Sequence, residues 1–247
     1  MRQTHILLFF ISTLLLPCSL MAQETTTIAD TIPKRIEKYG IRVGVDLSKL
    51  ARTAFEEGYT GFEVSGDLRF SERFYAAAEL GNETRDWNED NLTATTKGSF
   101  IKLGADFNAY KNWLGMENIV SVGLRYGLAS FSQELTGYNV NTTNTTFPTE
   151  FVTINQEFSG LTASWVELQV GIKTEIFNNL YLGINLQLKR QISEDKPDGF
   201  DNLIIPGFNR TYDFSDFGAG YGYTISYLIP IIKKTKQTSL PEEENTN

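Results

Sequence analysis

The sequence predicts an all-β fold, an eight-stranded antiparallel up-and-down transmembrane β-barrel, and three observations predict it. Between Tyr39 and Ile229 the chain divides into eight runs in which apolar and polar residues alternate. A period of two marks a β-strand, because successive side chains point to opposite faces. Charges within these runs keep to one face, and the connections between runs alternate between short and long.

The first run, about 39–49, interleaves Tyr39, Ile41, Val43, Val45 and Leu47 with Gly40, Arg42, Gly44, Asp46 and Ser48. The second, about 60–70, sets Phe62, Val64, Leu68 and Phe70 against Glu63, Ser65, Asp67 and Arg69. The third, about 73–84, sets Phe74, Ala76, Ala78 and Leu80 against Tyr75, Glu79 and Glu83. In the fourth, about 98–110, Ile101, Leu103, Ala105 and Phe107 alternate with Lys102, Gly104, Asp106 and Asn108. In the fifth, about 118–130, Val120, Val122, Leu124, Tyr126 and Leu128 alternate with Ser121, Gly123, Arg125 and Gly127. The sixth, about 163–176, opposes Val166, Leu168, Val170, Ile172 and Ile176 to Glu167, Gln169, Lys173 and Glu175. The seventh opposes Leu180, Leu182, Ile184, Leu186 and Leu188 to Tyr181, Gly183, Asn185, Gln187 and Lys189. The eighth, about 217–229, opposes Phe217, Tyr221, Tyr223, Ile225, Tyr227 and Ile229 to Gly218, Gly220, Gly222, Thr224 and Ser226. Each suffices to cross a bilayer when tilted, which takes about 9–11 residues.

Ser71–Arg73, Lys111–Glu117 and Phe177–Asn179 are short connections. Arg85–Lys97, Phe131–Thr162 and Ile192–Asp216 are long and rich in Asn, Thr, Asp and Gly, while Ala51–Gly58 is the shortest of that set. Short periplasmic turns opposite longer external loops characterise outer-membrane barrels. An even strand number returns both termini to the periplasm. The expected organisation is a signal peptide over 1–22, a periplasmic linker over 23–37, the barrel over 38–230 and a disordered periplasmic tail over 231–247. Within Phe131–Thr162, Tyr138–Val140 and Phe151–Ile154 flank Asn141–Thr146, a pattern compatible with a hairpin rising beyond the membrane.

Energy decides which face meets lipid. The charged face carries Arg42, Asp46, Glu63, Asp67, Arg69, Glu79, Glu83, Lys102, Asp106, Arg125, Glu167, Lys173, Glu175 and Lys189. Each basic residue turned to lipid at mid-membrane costs roughly 2–4 kcal/mol, which summed over the face exceeds the stability of a folded domain. Turned inward, these eight acids and six bases can pair as a structural lumen network, since eight-stranded barrels fill their interior with side chains. Aromatic belts are expected at both ends: Tyr39, Phe70, Phe74, Tyr110, Trp113, Phe177 and Tyr227 on the periplasmic side, and Tyr59, Trp87, Phe100, Phe131, Trp165 and Phe217 on the outer.

The leader is read from Arg2 and His5, the apolar run Ile6–Leu16 and a small residue, Ala22, before the expected cut. Removing 22 of the 247 residues leaves 225, takes away the single cysteine and the single histidine, and moves the net charge from −8 to −9 through loss of Arg2. Without cysteine there is no disulfide or thiolate metal site. Without histidine the usual general base near neutral pH is missing. An acidic balance excludes nucleic acid as a partner, because phosphate binding needs clustered Lys and Arg.

Candidate chemistry is weighed on the same terms. Glu79 and Glu83 could share acid–base work, but four residues apart on a face with Arg and Lys neighbours they read as ion-pair members. Asp86, Glu89 and Asp90 offer oxygen ligands without the spacing of a calcium loop. Gly218, Gly220 and Gly222 lie within a strand and open no helix, so they are not a phosphate cradle.

The segments GIRVGVDL (Gly40–Leu47), AELGN (Ala78–Asn82), NAYKNWLGMEN (Asn108–Asn118), GLRYG (Gly123–Gly127), FSGL (Phe158–Leu161), GIKTEIFNNLYLG (Gly171–Gly183) and IPGFNRTYD (Ile205–Asp213) resemble DUF6048, an outer-membrane family of the Bacteroidota. The resemblance implies an outer-membrane barrel and carries no catalytic residue. The expected function is therefore non-enzymatic: an outer-membrane barrel with a charge-plugged lumen and no cofactor. Its expected partners are outer-membrane lipid and an unidentified ligand or protein at the external loops, where function concentrates on such scaffolds. The rival readings are a narrow channel or transport barrel and a soluble lipocalin-like barrel around a small apolar ligand. Ile184→Arg is expected to block membrane assembly, with Asn185→Arg better tolerated; recovery of both as soluble folded protein would rule out a membrane barrel.

Overall fold

Amphipathic strands leave no exposed edge only if the last pairs with the first, and here they do. The computed structural model describes residues 34–89, 91–110, 117–140, 151–212 and 214–237. The leader, residues 238–247 of the tail, Asp90, Trp113 and the Asn141–Thr146 stretch lie outside the described residues. The chain runs through β1 (Lys34–Asp46), α1 (Leu47–Phe55), β2 (Tyr59–Arg69), β3 (Phe74–Glu89), β4 (Leu92–Asn108), β5 (Ile119–Asn139), β6 (Phe151–Phe177) and β7 (Leu180–Glu194). A two-residue hairpin, β8 (Ile204–Ile205) and β9 (Asn209–Arg210), precedes β10 (Phe217–Gln237). Eight strands close the barrel in the order β1-β10-β7-β6-β5-β4-β3-β2, with antiparallel pairing from β1 through β2 to β7 and from β7 to β10.

The parity of each strand is the one its alternation dictates. Leu186 on the outside is 66% exposed, whereas Lys102 on the inside is 1% exposed. Ile41, Leu80, Leu103, Leu124, Val170 and Ile184 share the outer face with Leu186. Such an apolar exterior is what a bilayer-spanning barrel presents to lipid. At the terminal end, where β1 starts and β10 stops, exposed Phe70, Phe74, Tyr110, Phe177 and Tyr227 ring the wall, with Phe74 packed on Phe70 (6.3 Å) and Phe107 (5.2 Å).

Two expectations about element limits are corrected. The first strand stops at Asp46 rather than near residue 49, because Asp46 caps a helix: its carboxylate accepts from the Ser48 amide (2.7 Å) and hydroxyl (2.6 Å). The helix formers Leu47, Lys49, Leu50, Ala51 and Arg52 carry it onward. Arg85–Lys97 is no loop; β3 and β4 pair as far as Glu89↔Leu92, since Thr93, Thr95 and Thr96 favour strand and the neighbour's backbone satisfies each peptide. In keeping with the hairpin that the sequence pattern allows, β5 and β6 continue together to Asn139↔Phe151, across register shifts at Phe131/Gln133 and Leu135/Gly137. Strand structure also begins at Lys34 and reaches Gln237, beyond both ends of the 38–230 span.

Removing the cap should loosen the α1 end of the barrel. Asp46→Ala is expected to lower unfolding stability in lipid by about 1–2 kcal/mol, and Asp46→Asn by less; urea titration in vesicles reads the difference.

Candidate functional site

The interior is built from the inward member of each residue pair along each strand. Near the terminal end, Arg69 meets Glu37 (3.2 Å) and Glu117 (3.9 Å) and lies over the Tyr39 ring (4.4 Å). Lys38 bonds Glu175 (3.1 Å) and Asn179 (2.8 Å). One step further in, Asp67 bridges Arg42 (3.1 Å) and Lys173 (2.7 Å), and Arg42 lies over Tyr181 (4.4 Å).

At mid-barrel the contacts run around the ring. Arg125 joins Asp106 (2.7 Å) to Glu79 (3.3 Å), and Glu79 binds Lys102 (2.7 Å). Lys102 also lies 3.6 Å from Glu63 and 3.8 Å from Glu167, which in turn lies 3.8 Å from Lys189. Strand pairing sets three of these contacts side by side: Arg42↔Asp67, Glu79↔Lys102 and Glu167↔Lys189. Glycine makes the room. A Cβ on Gly123 would stand 2.1 Å from the Asp106 carboxylate, and one on Gly127 would stand 2.2 Å from the Trp165 ring. The cavity left among Arg42, Glu63, Asp67, Asp106 and Arg125 measures about 40 Å³.

All fourteen residues of the charged face lie on the inward side. Twelve are buried; Lys173 and Glu175 at the terminal end are partly exposed. Asp46 stands apart from the ring of ion pairs as the α1 cap and as acceptor of the Tyr223 amide (3.3 Å). Glu79 and Glu83 bind different cations: Glu83 takes Lys49 of α1, the Tyr59 hydroxyl (2.9 Å) and the Gly207 amide (2.8 Å). Asp86 accepts from Thr95 (2.9 Å), and among the described residues no three acidic, His or Cys side chains cluster as a metal site.

The loop end of the lumen differs from the sequence expectation. Tyr59, Phe100, Phe131 and Trp165, assigned to an outer belt, are buried inside. Their parity is that of Glu63, Lys102, Arg125 and Glu167, so alternation alone excludes them from the lipid face. Of that belt Phe217 is outward and exposed, and Trp87 is half-buried. Phe100, Phe131, Leu161 and Trp165 form an apolar cluster with Ile205 and Phe208 of the β8–β9 hairpin, where Trp165 meets Phe208 edge-on at 5.9 Å.

That hairpin folds into the barrel. Its tip, Ile205–Phe208, is buried, Lys189 donates to the Gly207 carbonyl (2.7 Å), and Gly207 adopts φ +79° against the Phe100 ring. Fully buried Gln133 holds the approach, accepting from the Leu203 amide (3.0 Å) and donating to the Asp201 carbonyl (3.1 Å). The sequence signal was the apolar run Ile204–Phe208, broken by Pro206–Gly207, in an otherwise polar loop.

At the rim, outside the strands, the Arg52 hydrogen bond holds the Glu56 carboxyl below its ordinary range, and Arg85 adds to the effect. The resulting attachment of α1 to β3 is present at neutral pH and lost as acidification protonates Glu56.

Among known proteins, the profile of DUF6048, a domain of unknown function, matches residues 3–234. A comparison with curated proteins finds no match in sequence. Solved structures with a similar course include Ail, the attachment invasion locus protein of Yersinia pestis, at 11% identity and TM-score 0.37, covering 79% of this chain and 96% of that one. CarO2 of Acinetobacter baumannii is similar at 11% identity and TM-score 0.37, covering 79% and 100%. Likeness at that level transfers no property of either protein.

Truncating the central cation should take one of its cations from each of three buried carboxylates. Lys102→Met is expected to cost about 3–5 kcal/mol. Lys97→Met, in an exposed pair with Glu157 at 3.9 Å, is expected to cost under about 1 kcal/mol. Equal losses in chemical denaturation would show that the interior charges carry no special weight.

Proposed function

The chain belongs to DUF6048, described as a domain of unknown function, and from its residues we propose a non-enzymatic outer-membrane barrel whose lumen is closed at two levels. The signal peptide is cut near Ala22, the linker and the tail that follows β10 lie in the periplasm, and the loop end faces outward. A role in envelope structure, or in binding a ligand or protein at the loops, follows from that placement.

The observation that carries closure is the filling of the lumen. Ion pairs among the charged face cross the middle around a cavity of about 40 Å³, and the β8–β9 hairpin sits on an apolar floor above. A path for solutes needs a continuous column of water, and each level interrupts it. The non-enzymatic reading is supported by the histidine-free mature chain and by carboxylates already engaged with cations. The soluble-barrel rival would need Ile184 and Leu186 inside; both are more than half exposed on the wall.

Planar-bilayer recording of the full mature chain tests closure. No stepwise current above the lipid background is expected, and reproducible ohmic steps would instead make this a channel.

A further inference from the structure

Beside α1 the wall of the barrel is incomplete. The pairing Val45↔Val64 places the end of β1 opposite Glu63, so Tyr59–Phe62 of β2 have no β1 partner. Across the gap, Asp46 accepts from the Tyr223 amide, so Phe217–Gly222 of β10 run past the end of β1 while remaining paired with β7. Side chains cover part of both edges: the Thr53 hydroxyl accepts from the Gly61 amide (2.8 Å), and Asn209 donates to the Ala219 carbonyl (3.2 Å).

Between α1 and β10 lies a cleft of about 1180 Å³, above the roughly 300–1,000 Å³ common for small-molecule sites. Its floor includes Leu188, Phe217 and Tyr221, which belong to the outer apolar wall and are each more than half exposed. The cleft is therefore continuous with the lipid-facing surface. Gly58 and Asp86 line it too, joined by the bond from the Asp86 amide to the Gly58 carbonyl (2.7 Å). There Arg210 stacks on Trp87 (4.6 Å) and Tyr212 (5.3 Å).

Charges at this rim are not all matched. Arg52 and Arg85 both bind Glu56. Arg210 has no ion pair among the described residues, and neither do Glu57 and Glu89, which line the same cleft. Asp86, on the same lining, is hydrogen-bonded to Thr95 but likewise has no cation; among the described residues, one guanidinium without an ion pair beside three such carboxylates disfavours a purely anionic head and fits one that carries both signs.

We propose that this gap is a lateral binding site for a membrane phospholipid with a zwitterionic, amine-bearing head. The acyl chain lies along Leu188 and Tyr221, the phosphate meets Arg210, and the ammonium meets Glu57 and Glu89. This rests on the outer-membrane reading above, with the loop end in the outer leaflet.

The test places the full mature chain in nanodiscs of equal phosphatidylethanolamine and phosphatidylglycerol and identifies by native mass spectrometry the lipids it retains. Phosphatidylethanolamine should be retained at least fivefold over phosphatidylglycerol. Arg210→Ala, and separately Ala219→Trp to fill the cleft, should abolish the preference, while Arg73→Ala at the opposite end should leave it. Equal retention of both lipids, unchanged selectivity in the cleft variants, or displacement by an added diphosphorylated glycolipid would overturn the site. Failure of the unmodified chain to insert into any bilayer would overturn the membrane reading instead.

Discussion

Lys102 is 1% exposed and lies within 3.8 Å of three carboxylates, a position an ammonium group can hold only while the neighbouring strands keep their charges on the same side. Glu63, Glu79, Lys102, Arg125, Glu167 and Lys189 come one each from β2 to β7. Because the side-chain period is two, a slip of one residue in any of these strands would send its charge into the wall. The network thus locks register around most of the barrel. Its own net worth is modest, since desolvation offsets most of the attraction within a buried pair; the cost of every alternative arrangement is what gives it force.

The two halves of the lumen solve the filling problem differently. Toward the termini, ion pairs and glycine-opened spaces pack charged side chains to near completion. Toward the loops, Phe100, Phe131 and Trp165 present an apolar surface that water would wet at a cost. Ile205 and Phe208 cover it, and the polar groups of their tight turn are met by Glu83 and Lys189. Those two residues come from the charged face, so the hairpin is tied to the ion-pair ring beneath it.

At the short end of β1 the barrel trades a strand for a helix. Leu47, Leu50, Ala51 and Ala54 follow helical spacing on one side of α1, and Leu50, Ala51, Ala54 and Phe55 are exposed. Lys49 and Arg52, on the other side, reach Glu83 and the Tyr59 ring. The helix therefore keeps the polarity of the wall it interrupts, polar toward the lumen and apolar away from it, while leaving a lateral cleft that a full-length β1 would have filled.

Alternation along the chain was enough to determine eight strands, their inward and outward faces and the side on which Arg42 through Lys189 lie, because burial in a closed sheet follows parity and parity is written locally. It also held the correct answer for Phe100, Phe131 and Trp165, which an appeal to interfacial belts obscured. Only the tertiary structure decided that Asp46 starts a helix, that the Ile204–Arg210 hairpin enters the lumen, and which carboxylate meets which cation. Those outcomes depend on contacts between residues far apart in the chain, such as Gly207 with Glu83 and Arg125 with Glu79, and their energies exist only once the cylinder has closed and excluded water from its middle.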